Sequence, residues 1–172
     1  MNTKLIAGLA ASAAATALFV TGCSDTGSSS TPSSTGSAAP APAAGKSTAS
    51  VDGKELAAKF DTTCAKQGGT LALALTDLAN ATYGNFSVSA SVEGDTVAAV
   101  AIGGSQGGAN GMPYAVGYGN GQPGGSATLA KDGNTYRITG EGVGAPDMTN
   151  PLAGPTAVKF DITFACSTIV GA

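Results

Sequence analysis

Apolar and polar residues alternate with a period of two through much of the C-terminal part of the chain. Phe86, Val88, Ala90 and Val92 alternate with Ser87, Ser89 and Ser91. Val158, Phe160, Ile162, Phe164 and Cys166 alternate with Lys159, Asp161, Thr163 and Ala165. Successive side chains of a strand point to opposite faces, so each run predicts a strand with one face buried. Leu71, Leu73 and Leu75 alternate with Ala72 and Ala74, a strand with both faces fairly dry. Residues 96–102 are more uniformly apolar, the pattern of a central strand. Ala127, Leu129, Tyr136 and Ile138 continue the alternation.

Turn chemistry separates these runs. Asp52-Gly53 and Asp132-Gly133 predict tight hairpins, because both residue types tolerate positive φ. Gln67-Gly68-Gly69 and Glu93-Gly94-Asp95 predict two further reversals. Together these signals predict an all-β fold, an antiparallel β-sandwich or a partly open barrel. Residues 56–60 read as a short helical turn or an edge strand. The Gly-rich residues 103–111 predict a mobile loop, and 117–125 a turn or bulged strand. Residues 143–155 contain Pro146, Pro151 and Pro155 and predict a long loop.

The N-terminus carries a different pattern. Lys4 precedes an uncharged run at residues 5–20, LIAGLAASAAATALFV. A membrane-crossing helix needs about 20 predominantly apolar residues, and this run is shorter and diluted by Ala, Ser and Thr. It predicts a signal peptide over residues 1–22. Val20-Thr21-Gly22-Cys23 resembles a bacterial lipobox, with small residues before the cut and a thiol that accepts diacylglycerol. One acyl chain holds a protein only marginally at a bilayer, at about 0.8 kcal/mol per buried CH₂, and two hold it stably. The membrane is therefore the expected partner, through lipid on Cys23 and without a transmembrane helix.

Residues 23–50 read as the acylated cysteine plus a linker, and 51–172 as the folded domain. Residues 24–50 hold 13 Ser/Thr, 6 Ala, 3 Pro and 3 Gly, with Asp25 and Lys46 the only charges. With no large apolar side chain, this segment cannot bury enough to offset its chain entropy. As a flexible coil of its length it spans roughly 25–30 Å.

Charge and composition narrow the chemistry. The chain has 8 Lys and Arg against 11 Asp and Glu. Removal of residues 1–22 takes away Lys4 alone and leaves 7 against 11, a net charge of −4. That argues against nucleic-acid binding and against electrostatic adhesion to an anionic bilayer. With no histidine, imidazole catalysis and ligation are excluded. Lipid accounts for Cys23, which leaves Cys64 and Cys166 as an expected inter-strand disulfide. Two buried thiols or a ligand pair are the alternatives, although no histidine or third domain cysteine completes a metal site. A bridge closing roughly 100 residues stabilises by about 4–5 kcal/mol in the chain-entropy model.

The acids sit beside turn residues or on polar strand faces, and read as solvated turn acids rather than a glycosidase pair. Gly117-x-Gly119-x-Gly121 lacks the spacing of a dinucleotide loop, and Asp132-Gly133-Asn134 lacks the distal carboxylate of a calcium loop. No cofactor is predicted. Tyr114 and Tyr118 flank Gly-rich segments and are the candidate ligand-binding residues, suited to an apolar ligand in a cleft. The alternative is that they are core or rim aromatics.

Several stretches together carry a family resemblance. Val51-Asp52-Gly53-Lys54 opens the domain, and Cys64 follows a short distance on. Residues 130–140 match a KDG-x-x-Y-x-I-T-G segment, and Asp147-Met148-Thr149-Asn150-Pro151 a D-M-x-N-P loop. Residues 160–167 form a closing strand ending in Cys-Ser. With the lipobox, these make the chain resemble the LpqH-type mycobacterial lipoproteins, the nineteen-kilodalton antigen family. The resemblance implies a non-enzymatic lipoprotein and surface antigen on the extracytoplasmic face of the cell envelope. It implies an acylated Cys23 able to engage Toll-like receptor 2, an adhesin role, and a glycosylated linker with Thr31 and Thr35 as candidate sites. A second reading is a carrier of lipid or a small apolar ligand, with a cavity left by the many Ala and Gly residues.

Overall fold

The computed structural model describes residues 45–172. Cys23, Thr31, Thr35 and the segment read as a signal peptide lie outside the described residues. Ten strands follow in order: β1 (Thr48–Val51), β2 (Lys54–Glu55), β3 (Asp61–Gln67), β4 (Thr70–Asn80) and β5 (Gly84–Glu93). Then come β6 (Thr96–Gly107), β7 (Pro113–Gly119), β8 (Ser126–Asp132), β9 (Thr135–Gly144) and β10 (Ala157–Ala165). β1 begins at Thr48, inside the segment assigned to the linker.

The strands form one antiparallel sheet in the order β2-β1-β10-β9-β7-β6-β5-β4-β3, with β8 paired to β9. Of the two architectures expected, this is the partly open barrel: a single sheet curled into a half-barrel. Its stagger can be read from the pairings. Cys64 lies opposite Leu73, Leu73 opposite Ala90, Ala90 opposite Val100, and Val100 opposite Tyr118. Continuing the β7–β9 register by one residue brings Tyr118 to Gly142, which pairs with Val158. Cys166, eight residues beyond Val158, is bonded back to Cys64. A sheet can close on itself only with such an offset between its first and last strands.

The seam is held by few groups. The Cys64–Cys166 disulfide spans 5.9 Å between Cα atoms. Just beyond it, Lys66 donates its backbone N–H to the Val170 carbonyl at 2.7 Å, and Val170 donates to the Cys64 carbonyl at 3.0 Å. Ser47 Oγ accepts the Ala165 N–H at 3.0 Å and meets Thr62 Oγ1 at 2.6 Å.

The alternating residues fill the interior. Leu73, Leu75, Phe86, Ile102, Ile138 and Phe164 are fully buried. Each large side chain so buried contributes roughly 1.5–3 kcal/mol. Residues 45–172 thus enclose a single core and a disulfide of their own, the requirements of an independently folding unit.

Three local expectations change. Residues 103–107 are not a loop, because β6 runs on to Gly107. At Gly104 glycine is needed for close approach rather than freedom: a Cβ there would lie 2.8 Å from the Tyr83 carbonyl oxygen. Residues 56–60 are neither helix nor strand. Side chains satisfy their backbone instead, with Asn80 Nδ2 donating to the Ala57 carbonyl at 2.8 Å and Asp77 Oδ2 accepting the Lys59 N–H at 3.0 Å. The β8–β9 hairpin turns on Gly133-Asn134, one residue later than expected, with Gly133 at φ 55°. The β1–β2 hairpin turns on Asp52-Gly53 as read, at φ 50° and 74°.

The loop expected at 143–155 starts after Gly144 and contains a 3₁₀ turn at Pro151–Ala153. In the 117–125 stretch, β7 continues to Gly119 before the chain reverses.

Candidate functional site

β7 carries both candidate tyrosines. Residues two apart share a face, so Tyr114, Val116 and Tyr118 all point inward, with Val116 buried and the tyrosines half-buried. Their surroundings differ. Tyr114 belongs to an aromatic cluster: its ring lies 5.0 Å from that of Tyr83, which stacks at 4.6 Å on Phe86. Burial, then the proximity of Tyr83 and Asp52, pushes the Tyr114 phenol up to about 12. Tyr118 instead packs near Phe160, with ring centres 6.5 Å apart.

Tyr114 also lines a groove of about 560 Å³ at the end of the barrel where β7 begins, β9 ends and β10 begins. Val51, Val116 and Val158 contribute apolar side chains to it, and Met112 and Met148 form exposed walls. Tyr118 does not line it. The volume falls within the range of small-ligand pockets. Sequence reading missed the two methionines, although a large apolar residue in a Gly/Pro-rich loop is a signal that something other than the core uses it.

Asp52 and Asp147 also line the groove. Asp52 Oδ1 accepts the Lys159 N–H at 2.9 Å. Asp147 Oδ1 accepts the Thr149 N–H at 2.8 Å and the Thr149 hydroxyl at 2.6 Å, bonds that hold its carboxyl below the usual range. A larger, shallower hollow of about 830 Å³ lies beside Ala57, Ala79 and Asn80. Its polar groups serve the structure, since Asp77 binds both Lys59 and Asn80 there. Among the described residues, no group of three His, Cys, Asp or Glu side chains converges as a metal site.

Comparison with known proteins fits this architecture. The family model of the Mycobacterium 19 kDa lipoprotein antigen matches residues 40–166, which include both bridged cysteines. The chain belongs to this lipoprotein antigen family. A protein of Mycobacteroides abscessus named as a lipoprotein is 36% identical over 118 residues, covering 67% of this chain and 72% of that protein. Lipoprotein LpqH of Mycobacterium avium is 32% identical over 117 residues, covering 68% of this chain and 66% of that protein. Membership of a lipoprotein family associates the chain with a membrane. The matched span contains the whole half-barrel sheet and begins well after Cys23.

Proposed function

We propose that the protein is a non-enzymatic surface lipoprotein, held on the extracytoplasmic face of the cell envelope by acylated Cys23. In this reading residues 1–22 are removed as a signal peptide, and the residues between Cys23 and Ser47, where the folded domain begins, act as a leash that is glycosylated at Thr31 and Thr35. The acylated N-terminus engages Toll-like receptor 2, and the half-barrel makes adhesive contacts. The observation that carries the reading is membership of the lipoprotein antigen family together with a lipobox at Val20-Thr21-Gly22-Cys23. A non-enzymatic role is supported by membership of an antigen family and by the bonds on the two acids that share the groove, Asp52 to the Lys159 N–H and Asp147 to Thr149.

The test compares native protein with a form lacking acylated Cys23 in a Toll-like receptor 2 reporter assay. Loss of signalling in the unacylated form supports the lipid-centred reading, and full signalling without the lipid refutes it. Intact-mass analysis of the native product must also show a chain beginning at a lipid-bearing Cys23.

The groove at Tyr114 favours a second reading, in which the domain holds an apolar molecule. Its methionine walls and valine floor are suited to that. Native mass spectrometry of the protein purified from its source decides, because a carrier retains a co-purifying lipid.

A further inference from the structure

We propose that the groove beside Tyr114 docks a cationic amphipathic peptide segment of a partner protein. An apolar side chain of that segment seats against Val116 and Val158 between Met112 and Met148. A neighbouring lysine or arginine pairs with Asp52 or Asp147. This rests on the reading of the half-barrel as a contact-making domain and names the chemistry of the contact.

Three observations support it. The first is exposed apolar surface: Met112 is 48% and Met148 67% exposed, and both line the groove. Clustered apolar exposure of this kind marks contact surfaces, and methionine is suited to them because it is unbranched and polarisable. The second is sign. Asp52 and Asp147 are the charged residues among the described lining; Lys159 bonds Asp52 through its backbone N–H but does not itself line the groove. An anionic headgroup would meet two carboxylates, whereas a cation meets complementary charge.

The third is preorganisation. One oxygen of each carboxylate is already fixed by the protein, Asp52 by the Lys159 N–H and Asp147 by the Thr149 N–H and hydroxyl. A carboxylate has about four acceptor sites in all, so each retains capacity for a partner's ammonium or guanidinium. Fixing the acids before binding lowers the ordering cost of the contact. The groove also draws on four separate stretches of chain, so its shape does not depend on one loop.

The experiment uses protein lacking residues 1–23, made with its disulfide formed, and a short fluorescein-labelled peptide of alternating leucine and lysine. Binding is followed by anisotropy and located by NMR shift changes. The expected result is saturable binding that moves Tyr114, Val116 and Val158 signals and weakens with salt. Asp52→Asn with Asp147→Asn should weaken it roughly tenfold, the sum of two partly exposed ion pairs. Both substitutions preserve side-chain acceptors, so the fold is kept. Met148→Ser, at an exposed position, should weaken binding several-fold.

Equal binding of a leucine–glutamate peptide overturns the proposal. So does failure of the lysine peptide where phosphatidylcholine vesicles perturb the same signals, an outcome that keeps the groove as a contact site for lipid. Perturbation by no probe at all removes both this inference and the groove's role in contact.

Discussion

Reducing the Cys64–Cys166 bond should cost the domain a large part of its stability. The bridge closes a separation of 102 residues. In the chain-entropy model a loop of that size contributes about 4.7 kcal/mol by restricting the unfolded chain. Domains of this class are stable by only about 5–15 kcal/mol. At about 2.1 cal/mol/K per residue, the 128 described residues have an unfolding entropy near 0.27 kcal/mol/K. The expected fall in Tm is therefore roughly 17 °C.

The location of the bond adds a local effect. β3 is the last strand of the sheet, and it is tied across the seam by the disulfide, the Val170 bonds and the Ser47–Thr62 contact. Without the disulfide, amides of β3 should exchange with solvent earlier than those of β9, which has strands on both sides. The assay is thermal unfolding of oxidised and phosphine-reduced protein, with hydrogen exchange resolved by strand. A Cys64→Ala, Cys166→Ala double variant separates reduction from reagent effects. A Tm change below about 4 °C, equivalent to roughly 1 kcal/mol here, with unchanged β3 exchange would refute the reasoning. Packing alone would then be closing the sheet.

Other outcomes follow from single groups. Gly140→Ala should destabilise by about 1–3 kcal/mol or more in urea unfolding, because a Cβ there would collide with the Ser126 carbonyl oxygen and lie 2.9 Å from both the Phe160 ring and the Ala127 Cα. Asp77 has its carboxyl held down by the Lys59 N–H and the Asn80 amide. Its stabilisation is therefore present above the ordinary aspartate value of 3.8 and is lost as pH falls through the depressed folded value. Asp77→Asn should accordingly flatten the fall of Tm with pH below about 4. Tyr114, raised to about 12, should be a late-ionising phenol in an ultraviolet titration, and Tyr114→Phe should remove that step. Since the unfolded phenol ionises near 10, its contribution to stability should decline between about pH 10 and 12.

Much of the sheet is legible in the sequence because alternation reports burial directly. The Phe86 and Phe160 runs place inward residues correctly along β5 and β10; the Leu71 run places its leucines inward on β4, but its other face is not dry as expected, since Ala72 is exposed. Cys166 lies buried where the Phe160 run puts it, one residue past the end of β10, and Cys64 lies in an extended run as read, on β3. What the pattern does not encode is which strands are neighbours. β9 meets β8 along residues 135–141 and β7 only at its far end, so the sheet forks there. No local signal distinguishes that fork from two stacked sheets. The glycine run at 103–107 misleads for another reason: composition alone does not separate a glycine kept for freedom from one kept for a close neighbour such as Tyr83. The groove is the least legible feature. Its lining comes from residues near 51, 108–116, 144–148 and 156–158, brought together only by the sheet. Tyr114 and Tyr118 carry the same sequence signal, yet only Tyr114 reaches the groove.

Closure at one part of the sheet and a groove at another make the two energetically separable, and a mutant cycle can show it. Val116 lies on β7 two residues before Tyr118, and Tyr118 ends the row that runs from Cys64 through Leu73, Ala90 and Val100. Four inter-strand steps of about 4.8 Å and two residues along β7 place Val116 roughly 20 Å from Cys64, followed around the curled sheet. Sites this far apart can couple only through the core cluster to which both belong, and effects without a shared neighbour add to within about 0.5 kcal/mol. Val116→Ala combined with loss of the disulfide should therefore give the sum of the two single effects. Leu73→Ala should not, because Leu73 faces Cys64 directly and is 1% exposed, so the packing either change relaxes is shared. Urea unfolding of both cycles provides the measurement. Coupling at Val116 as large as that at Leu73 would mean that the half-barrel responds as one body, and that the redox state of its seam reaches the groove.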